Sequence, residues 1–411
     1  MTAIADLEMF GRSVRERLFA SATAGERRIG LEVELIPLRA AGGAPVPLEA
    51  GSLGAPATLT FVRAFATPRG WRERRSAKGA PYFALPNGWT LTFEPGGQVE
   101  LCTTPTGAIG VLVTEVRSLV TALRSAAMDE GIELASVGID PHNDSAAVPL
   151  QVVSERYVKM AEYFESIGPA GARMMRQTAA TQVSLDGGDN PEWRWRLLAD
   201  AAPYLTALFA NSPRHAGRDT GWLSFRERCW RQLDPSRTGV PDAELPACEA
   251  YTRFALDAAD MTRRSPEGLY RPFGEWVADG LWNETQWETH LTTLFPEVRP
   301  RGHLEVRSID ALPPELLAMP VILLAGIAYD APAAAAARDL LDAADEDLLN
   351  RAARCGLRDP HIGRTALALA EIALGGARSL GEGVIARAEL ERAAHWLREW
   401  PARGRSPADS R

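Results

Sequence analysis

The tightest constraint on this chain is a strand pattern that recurs far apart in the sequence, with carboxylates on one face and aliphatic side chains on the other. In Ile29-Gly-Leu-Glu-Val-Glu-Leu35, Glu32 and Glu34 share a face while Leu31, Val33 and Leu35 pack behind. His303-Leu-Glu-Val-Arg307 repeats it, with Glu305 and Arg307 backed by Leu304 and Val306. Carboxylates seldom enter a sheet unless they are paired or hold a metal. Such strands point to a divalent-metal and phosphate site built on a sheet. Glu32 and Glu34 lie roughly 6–7 Å apart at their Cα atoms, and hard oxygen ligands suit Mg²⁺ or Mn²⁺. Taken singly, the segment also describes an edge strand with a solvated face.

Residues 81–104 read as a hairpin, with Trp89-Thr-Leu-Thr-Phe-Glu94, a Pro95-Gly96-Gly97 turn and Gln98-Val-Glu-Leu-Cys102. Glu94 and Glu100 flank the turn, Gln98 and Glu100 share a face, and the two glycines let the backbone approach a ligand closely. Arg176 to Asp186 reads as a strand in which Gln182 and Ser184 oppose Thr181, Val183 and Leu185. It fits either a nucleotide-orienting strand or an ordinary half-buried one. In Glu305-Val-Arg307 the guanidinium stands beside the acid, as needed to neutralise a transferring phosphoryl group, although a local ion pair has the same pattern. Between Asn211 and Gly239, Arg214, Arg218, Arg226, Arg228, Arg231 and Arg237 are interleaved with Trp222 and Trp230. That stretch is either an anion clamp or a solvated arginine-rich face.

Composition removes several classes. With 45 Lys plus Arg against 53 Asp plus Glu, the net charge of −8 disfavours a nucleic-acid surface. The four cysteines show no CxxC spacing, and the six histidines are dispersed. No P-loop, GxGxxG, HExxH or GxSxG occurs, so phosphate chemistry here must rest on carboxylate-held metal. The first 28 residues lack an apolar leader, and Pro320 to Ala328 is too short to span a membrane. These features lead us to expect a soluble protein of a reducing compartment, the cytoplasm, with no membrane or nucleic-acid partner.

The order of elements argues α+β rather than a doubly wound sheet. A helix is expected over 1–24, a strand over 28–36 and a Pro/Gly/Ala-rich loop over 37–58. Helices follow over 107–130, 156–164 and 192–210, and a strand over 132–138. A proline-bearing loop falls at 140–153 and the last strand at 302–309. From Pro314 to Trp400 the pattern is helical, and 401–411 reads as a frayed tail.

Taken together, the segments resemble the plant-type glutamate–cysteine ligase family, carboxylate–amine ligases related to glutamine synthetase. The resemblance runs in one order from Gly30-Leu-Glu-Val-Glu-Leu35 and Glu94-Pro-Gly-Gly-Gln-Val-Glu-Leu101 through Arg156-Tyr-Val-Lys-Met160, Met174-Met175 and Thr181-Gln-Val-Ser-Leu-Asp186. It continues through Ala210-Asn-Ser-Pro213, Gly217-Arg-Asp-Thr-Gly-Trp222, Asp234-Pro-Ser-Arg-Thr-Gly239, Leu294-Phe-Pro-Glu-Val-Arg-Pro-Arg-Gly302 and His303-Leu-Glu-Val-Arg-Ser-Ile-Asp310. The segments around 217–239 and 294–310 look most like the bacterial branch that serves ergothioneine synthesis.

The resemblance implies a glutamine-synthetase-like core, a curved antiparallel sheet with the site on its concave face and helices on the other side, residues 1–400 forming one catalytic domain. It implies ATP-dependent joining of the L-glutamate γ-carboxyl to the amine of L-cysteine, with Mg²⁺ (or Mn²⁺) and ATP as co-substrate. By the same resemblance Glu32, Glu34, Glu94, Glu100 and Glu305 hold metal, and Arg307 faces the phosphates. Arg226 is the first candidate among the 211–239 arginines. Gln182, Ser184, Arg176, Trp230 and Arg237 are candidates for substrate and nucleotide contacts. Two departures stand beside the site: Cys102-Thr-Thr-Pro105 replaces the family's Ser-Gly-Ala/Pro-Pro, and Ser308 stands where plant members have glycine. They leave open a ligase with another acceptor amine; a non-catalytic nucleotide or metal sensor is a further alternative.

Overall fold

Strand β1 (Ile29–Arg39) is the hub, because its alternation supplies an apolar face to pack and a polar face to line a site. The computed structural model describes residues 4–20, 27–52, 55–77 and 79–410. The other strands are β2 (Arg72–Arg75), β3 (Pro81–Ala84), β4 (Thr90–Phe93), β5 (Val99–Cys102), β6 (Ile132–Ala135) and β7 (Thr181–Leu185). A small ribbon, β8 (Arg214–His215) with β9 (Arg218–Asp219), stands apart, and β10 (Val298–Pro300) pairs with β11 (Leu304–Val306). The main sheet runs β10-β11-β7-β1-β5-β4-β3-β2, with β6 joining the far end of β1. Every pairing in it is antiparallel.

Register brings the acids together. Glu34 lies opposite Glu100 and Glu32 opposite Cys102 on β5; Glu32 also lies opposite Gln182 on β7. Glu305 lies opposite Ser184 on one side and Arg299 on the other. Leu31, Val33, Leu91, Leu101 and Val183 point the opposite way into the main core. Helices Ile109–Asp129, Pro191–Phe209 and Ala318–Tyr329 cover that face. All twelve residues of Ala318–Tyr329 are buried, as expected of a helix apolar all round. Gly326 lets it approach helix Pro360–Ser379, since a Cβ there would lie 1.9 Å from the carbonyl oxygen of Ala373. No single helix among the described residues is long and apolar enough to cross a membrane.

Local signals explain the helix ends. Asn190 caps Pro191–Phe209 by accepting from the Trp193 N–H, with proline at the first position. Ser224 caps Phe225–Arg231 through the Glu227 N–H, and Asp359 caps Pro360–Ser379.

The segment read as a hairpin over 81–104 carries three strands, β3, β4 and β5, and three further differences from the sequence reading concern the arginines and the chain's end. Arg176 is on helix Ala170–Gln177, not on β7, which starts at Thr181. The arginine-rich stretch is not one solvated face, because helix Phe225–Arg231 runs through it and buries Arg226 and Arg231. The end of the chain is pinned rather than frayed: Ala408 N–H donates to Ala210 O at 2.8 Å, and the Asp409 carboxylate accepts from the Ser406 N–H at 2.7 Å. Ala408 itself is buried, and residue 411 lies outside the described residues.

Candidate active site

The polar face of the sheet forms the floor of a cavity of about 320 Å³, roofed by helices Glu155–Glu165, Ala170–Gln177 and Phe225–Arg231. Glu32, Glu34, Glu94 and Glu100 all line it, half-buried. Glu34 is held in place, accepting from the Ala180 N–H at 2.7 Å and from the Gln182 amide at 2.9 Å. Glu100 accepts from the Thr92 hydroxyl at 2.5 Å.

For these four carboxyls burial outweighs the counter-charge that reaches them. Burial, then the neighbouring Glu100 and Glu305, pushes Glu32 up to about 8. Burial raises Glu34 to about 6, with Arg226 pulling the other way. Glu94 is driven well above the ordinary carboxylate range by burial and then by Glu100; Glu100 is raised by burial and by Glu34. The donor set is all hard oxygen, the chemistry that suits a divalent cation. Among the described residues no three His, Cys, Asp or Glu side chains already converge into a metal cage.

Glu305 lives in the opposite environment. Arg299 grips it with a two-pronged contact at 2.8–3.0 Å, Arg301 reaches it at 3.3 Å, and Arg307 also bonds to it. Burial alone would raise this carboxyl, but Arg299, Arg307 and Arg301 together hold it well below the usual range. Arg307 bonds to the Gln182 amide oxygen at 2.5 Å, so the acid, the amide and the cation form one chain across β11 and β7.

Arg226 enters from the roof. One terminal nitrogen donates to the carbonyl oxygen of Arg307 at 2.8 Å. The other is buried without a hydrogen-bond partner, 4.0 Å from Asp310. Asp310 is buried and accepts from the Asn211 N–H and from the hydroxyls of Ser212 and Ser224, at 2.8, 2.6 and 2.9 Å. Trp230, one turn beyond Arg226, also lines the cavity.

Of the residues singled out in the sequence, Glu32, Glu34, Glu94, Glu100, Glu305, Gln182, Arg226, Arg307 and Trp230 meet in this one space. Three do not. Ser184 opens onto a second cavity that shares Glu32 and is lined by Gly30, Thr103 and Asp186. Arg176 points back along its own helix, its Nε donating to Ala172 O at 3.4 Å. Arg237 is fully buried elsewhere, donating to Asp234 at 2.9 Å and Thr293 O at 2.8 Å, and lying over the Tyr163 ring. Gly96 serves packing rather than ligand approach: a Cβ there would lie 2.1 Å from the Arg176 carbonyl oxygen. Of the two departures, Cys102 is absent from the cavity lining, and Ser308 is buried.

Sequence reasoning missed Arg156, Arg299 and Arg301, which line the cavity. Arg299 is placed by the pairing of β10 with β11, whose register sets it opposite Glu305.

The model of glutamate–cysteine ligase family 2 (GCS2) matches residues 28–410. The glutamate–cysteine ligase EgtA of Mycolicibacterium smegmatis is 36% identical over 343 residues, 79% of this chain and 78% of that protein. The chloroplastic glutamate–cysteine ligase of Arabidopsis thaliana is 32% identical over 298 residues, 66% of this chain and 56% of that protein. Among solved structures, a Francisella tularensis glutamate–cysteine ligase in complex with AMP aligns with a TM-score of 0.52 at 11% identity. That alignment covers 95% of this chain and 84% of that one, a likeness of fold.

Proposed function

This chain belongs to glutamate–cysteine ligase family 2, and from that premise we propose that it joins the γ-carboxyl of L-glutamate to the amine of L-cysteine at the cost of ATP. The observation that carries the reading is the meeting of four carboxylates with Arg226 and Arg307 in one cavity. A carboxylate is a poor electrophile, so it must first be activated. Its oxygen attacks the γ-phosphorus of ATP, the bond to ADP breaks, and a γ-glutamyl phosphate results. The acceptor, having lost a proton from its ammonium, attacks the acyl carbon, and phosphate leaves with the C–O bond. No enzyme nucleophile is required.

The residues divide this work. Arg307, anchored by Gln182 and Glu305, offsets charge that builds on the phosphoryl oxygens. Arg226 lines the cavity and brings it a buried positive charge, suited to a substrate carboxylate. Glu32, Glu34, Glu94 and Glu100, with Glu305 beside them, would hold Mg²⁺, which when bound neutralises phosphate oxygens. We assign the chain, its pinned end included, to one catalytic unit working in the cytoplasm, with γ-glutamylcysteine serving thiol biosynthesis.

The test is ADP release by the purified protein with ATP, Mg²⁺ and L-glutamate, with and without L-cysteine, the product read by mass spectrometry. ADP that depends on both amino acids, with γ-glutamylcysteine formed, supports the reading. ADP that responds to glutamate but not to cysteine reassigns the acceptor, and no ADP with any amine refutes the ligase.

A further inference from the structure

The cavity that gathers the carboxylates has a second wall of different chemistry. Met160 on helix Glu155–Glu165, Met174 and Met175 on helix Ala170–Gln177, Trp230 on helix Phe225–Arg231, and Phe295 just before β10 all line it, all buried. Three of the chain's eight methionines thus border one small space. These five side chains belong to an apolar cluster, with Tyr163, Phe164, Ala170, Leu233 and Met261 behind them, that is separate from the core behind the sheet. An apolar wall inside a charged cavity has no use for a polyphosphate or for either carboxylate of glutamate, all of which lose hydration there. It needs a substrate part that is itself apolar or polarisable.

Two features narrow the choice. The Arg226 and Arg307 guanidiniums already lie against the Trp230 ring, at 5.7 and 5.4 Å from its centre, and Arg307 and Arg299 lie 5.9 Å from Phe295. A purine stacking on these rings would compete with them. The Trp230 indole N–H is buried and meets no acceptor. Thioether sulfurs pack well against soft, polarisable groups, and sulfur is a weak acceptor for an N–H.

We propose that Met160, Met174, Met175, Trp230 and Phe295 form the subsite for the acceptor amino acid's side chain, selecting a short, uncharged, thiol-bearing one. This rests on the carboxylate–amine ligase reading above. The α-carboxylate and amine of the acceptor then face the charged side of the cavity while its side chain turns to the methionines.

Steady-state ADP release by the full chain, varying one substrate at a time, tests this with Met174→Ala and Met174→Leu. For Met174→Ala the KM for L-cysteine rises at least ten-fold, while those for L-glutamate and ATP stay within two-fold. Its kcat/KM ratio for L-norvaline over L-cysteine rises at least ten-fold, because the longer side chain gains room. Met174→Leu, close in volume, keeps the cysteine KM within three-fold. Should Met174→Ala not fold, Met175→Ala asks the same question. A rise confined to the KM of glutamate or ATP, or an unchanged acceptor preference in an active variant, overturns the subsite alone. A wild-type protein that releases no ADP with glutamate and cysteine overturns the ligase reading beneath it.

Discussion

Removing Asp310 tests whether the roof of the site is held by one buried acid. Asp310→Ala takes an acceptor from the Asn211 N–H and the hydroxyls of Ser212 and Ser224, and the nearest counter-charge from Arg226. At 4.0 Å and an effective dielectric near 20, the attraction to Arg226 is about 4 kcal/mol. Deleting one partner of a buried pair costs roughly 3–5 kcal/mol, the same size. The serine hydroxyls can turn to other acceptors, but the Asn211 N–H cannot. With an unfolding entropy of about 2.1 cal/mol/K per residue, 411 residues give about 0.9 kcal/mol/K, so Tm should fall by about 4–5 °C. Asp310→Asn should cost less. Burial pushes the Asp310 carboxyl up despite Arg226, and that penalty vanishes with the charge. Thermal melts of both variants, with ADP release followed in parallel, give the comparison. A Tm for Asp310→Ala within 1 °C of wild type, or an asparagine variant less stable than the alanine one, refutes the reasoning.

Glu305→Gln leaves Arg299, Arg301 and Arg307 around a neutral amide; ADP formation should drop by at least about 100-fold with the circular dichroism unchanged, and near-normal turnover would remove Glu305 from the chemistry. Gly326→Ala drives a methyl into the Ala373 carbonyl, whereas Gly375→Ala meets nothing within 4 Å. The first should lose roughly 1–3 kcal/mol in urea melts and the second should lose nothing; equal effects would contradict the close helix approach. His290 is buried against Phe273 with a ring nitrogen 2.7 Å from Ala255 O, and burial, then Arg237, lowers it from 6.5 to about 4. Because the folded value lies below the unfolded one, its contribution is present above pH 6.5 and is lost as pH falls towards 4, about 3 kcal/mol in all. His290→Gln should therefore show a shallower decline of Tm between pH 7 and 4.5, and parallel curves would refute the assignment.

The acids were legible because a strand's side-chain period is a local property. Once Leu31, Val33 and Leu35 are assigned to a core, Glu32 and Glu34 must face the other way, whatever the neighbours are. The same logic found Glu100 and Glu305, and pairing then set Glu34 beside Glu100 without further information. The long amphipathic helices over 109–129 and 191–209 were readable for the same reason, having enough turns for their period to emerge.

What the sequence hid is decided where one element lands on another. Val298–Pro300 spans three residues and ends in proline, too short for an alternation to show, so Arg299 gave no sign that it grips Glu305. Arg237 belongs to an arginine-rich run that reads as one surface, yet Asp234 three residues earlier and the Tyr163 ring remove it from that surface. Arg226 in the same run stays in the site, because Ser212, Ser224 and Asp310 fix the helix that carries it. Composition treats the two arginines alike; only the acid each one meets, Asp234 for Arg237 and Asp310 for Arg226, separates them. The methionine wall follows the same rule. Helices Glu155–Glu165 and Ala170–Gln177 turn Met160, Met174 and Met175 towards a space that exists only once they are laid over the sheet. A chain can announce its carboxylates through a period of two, but the groups that choose their substrates come from docking, which no local period records.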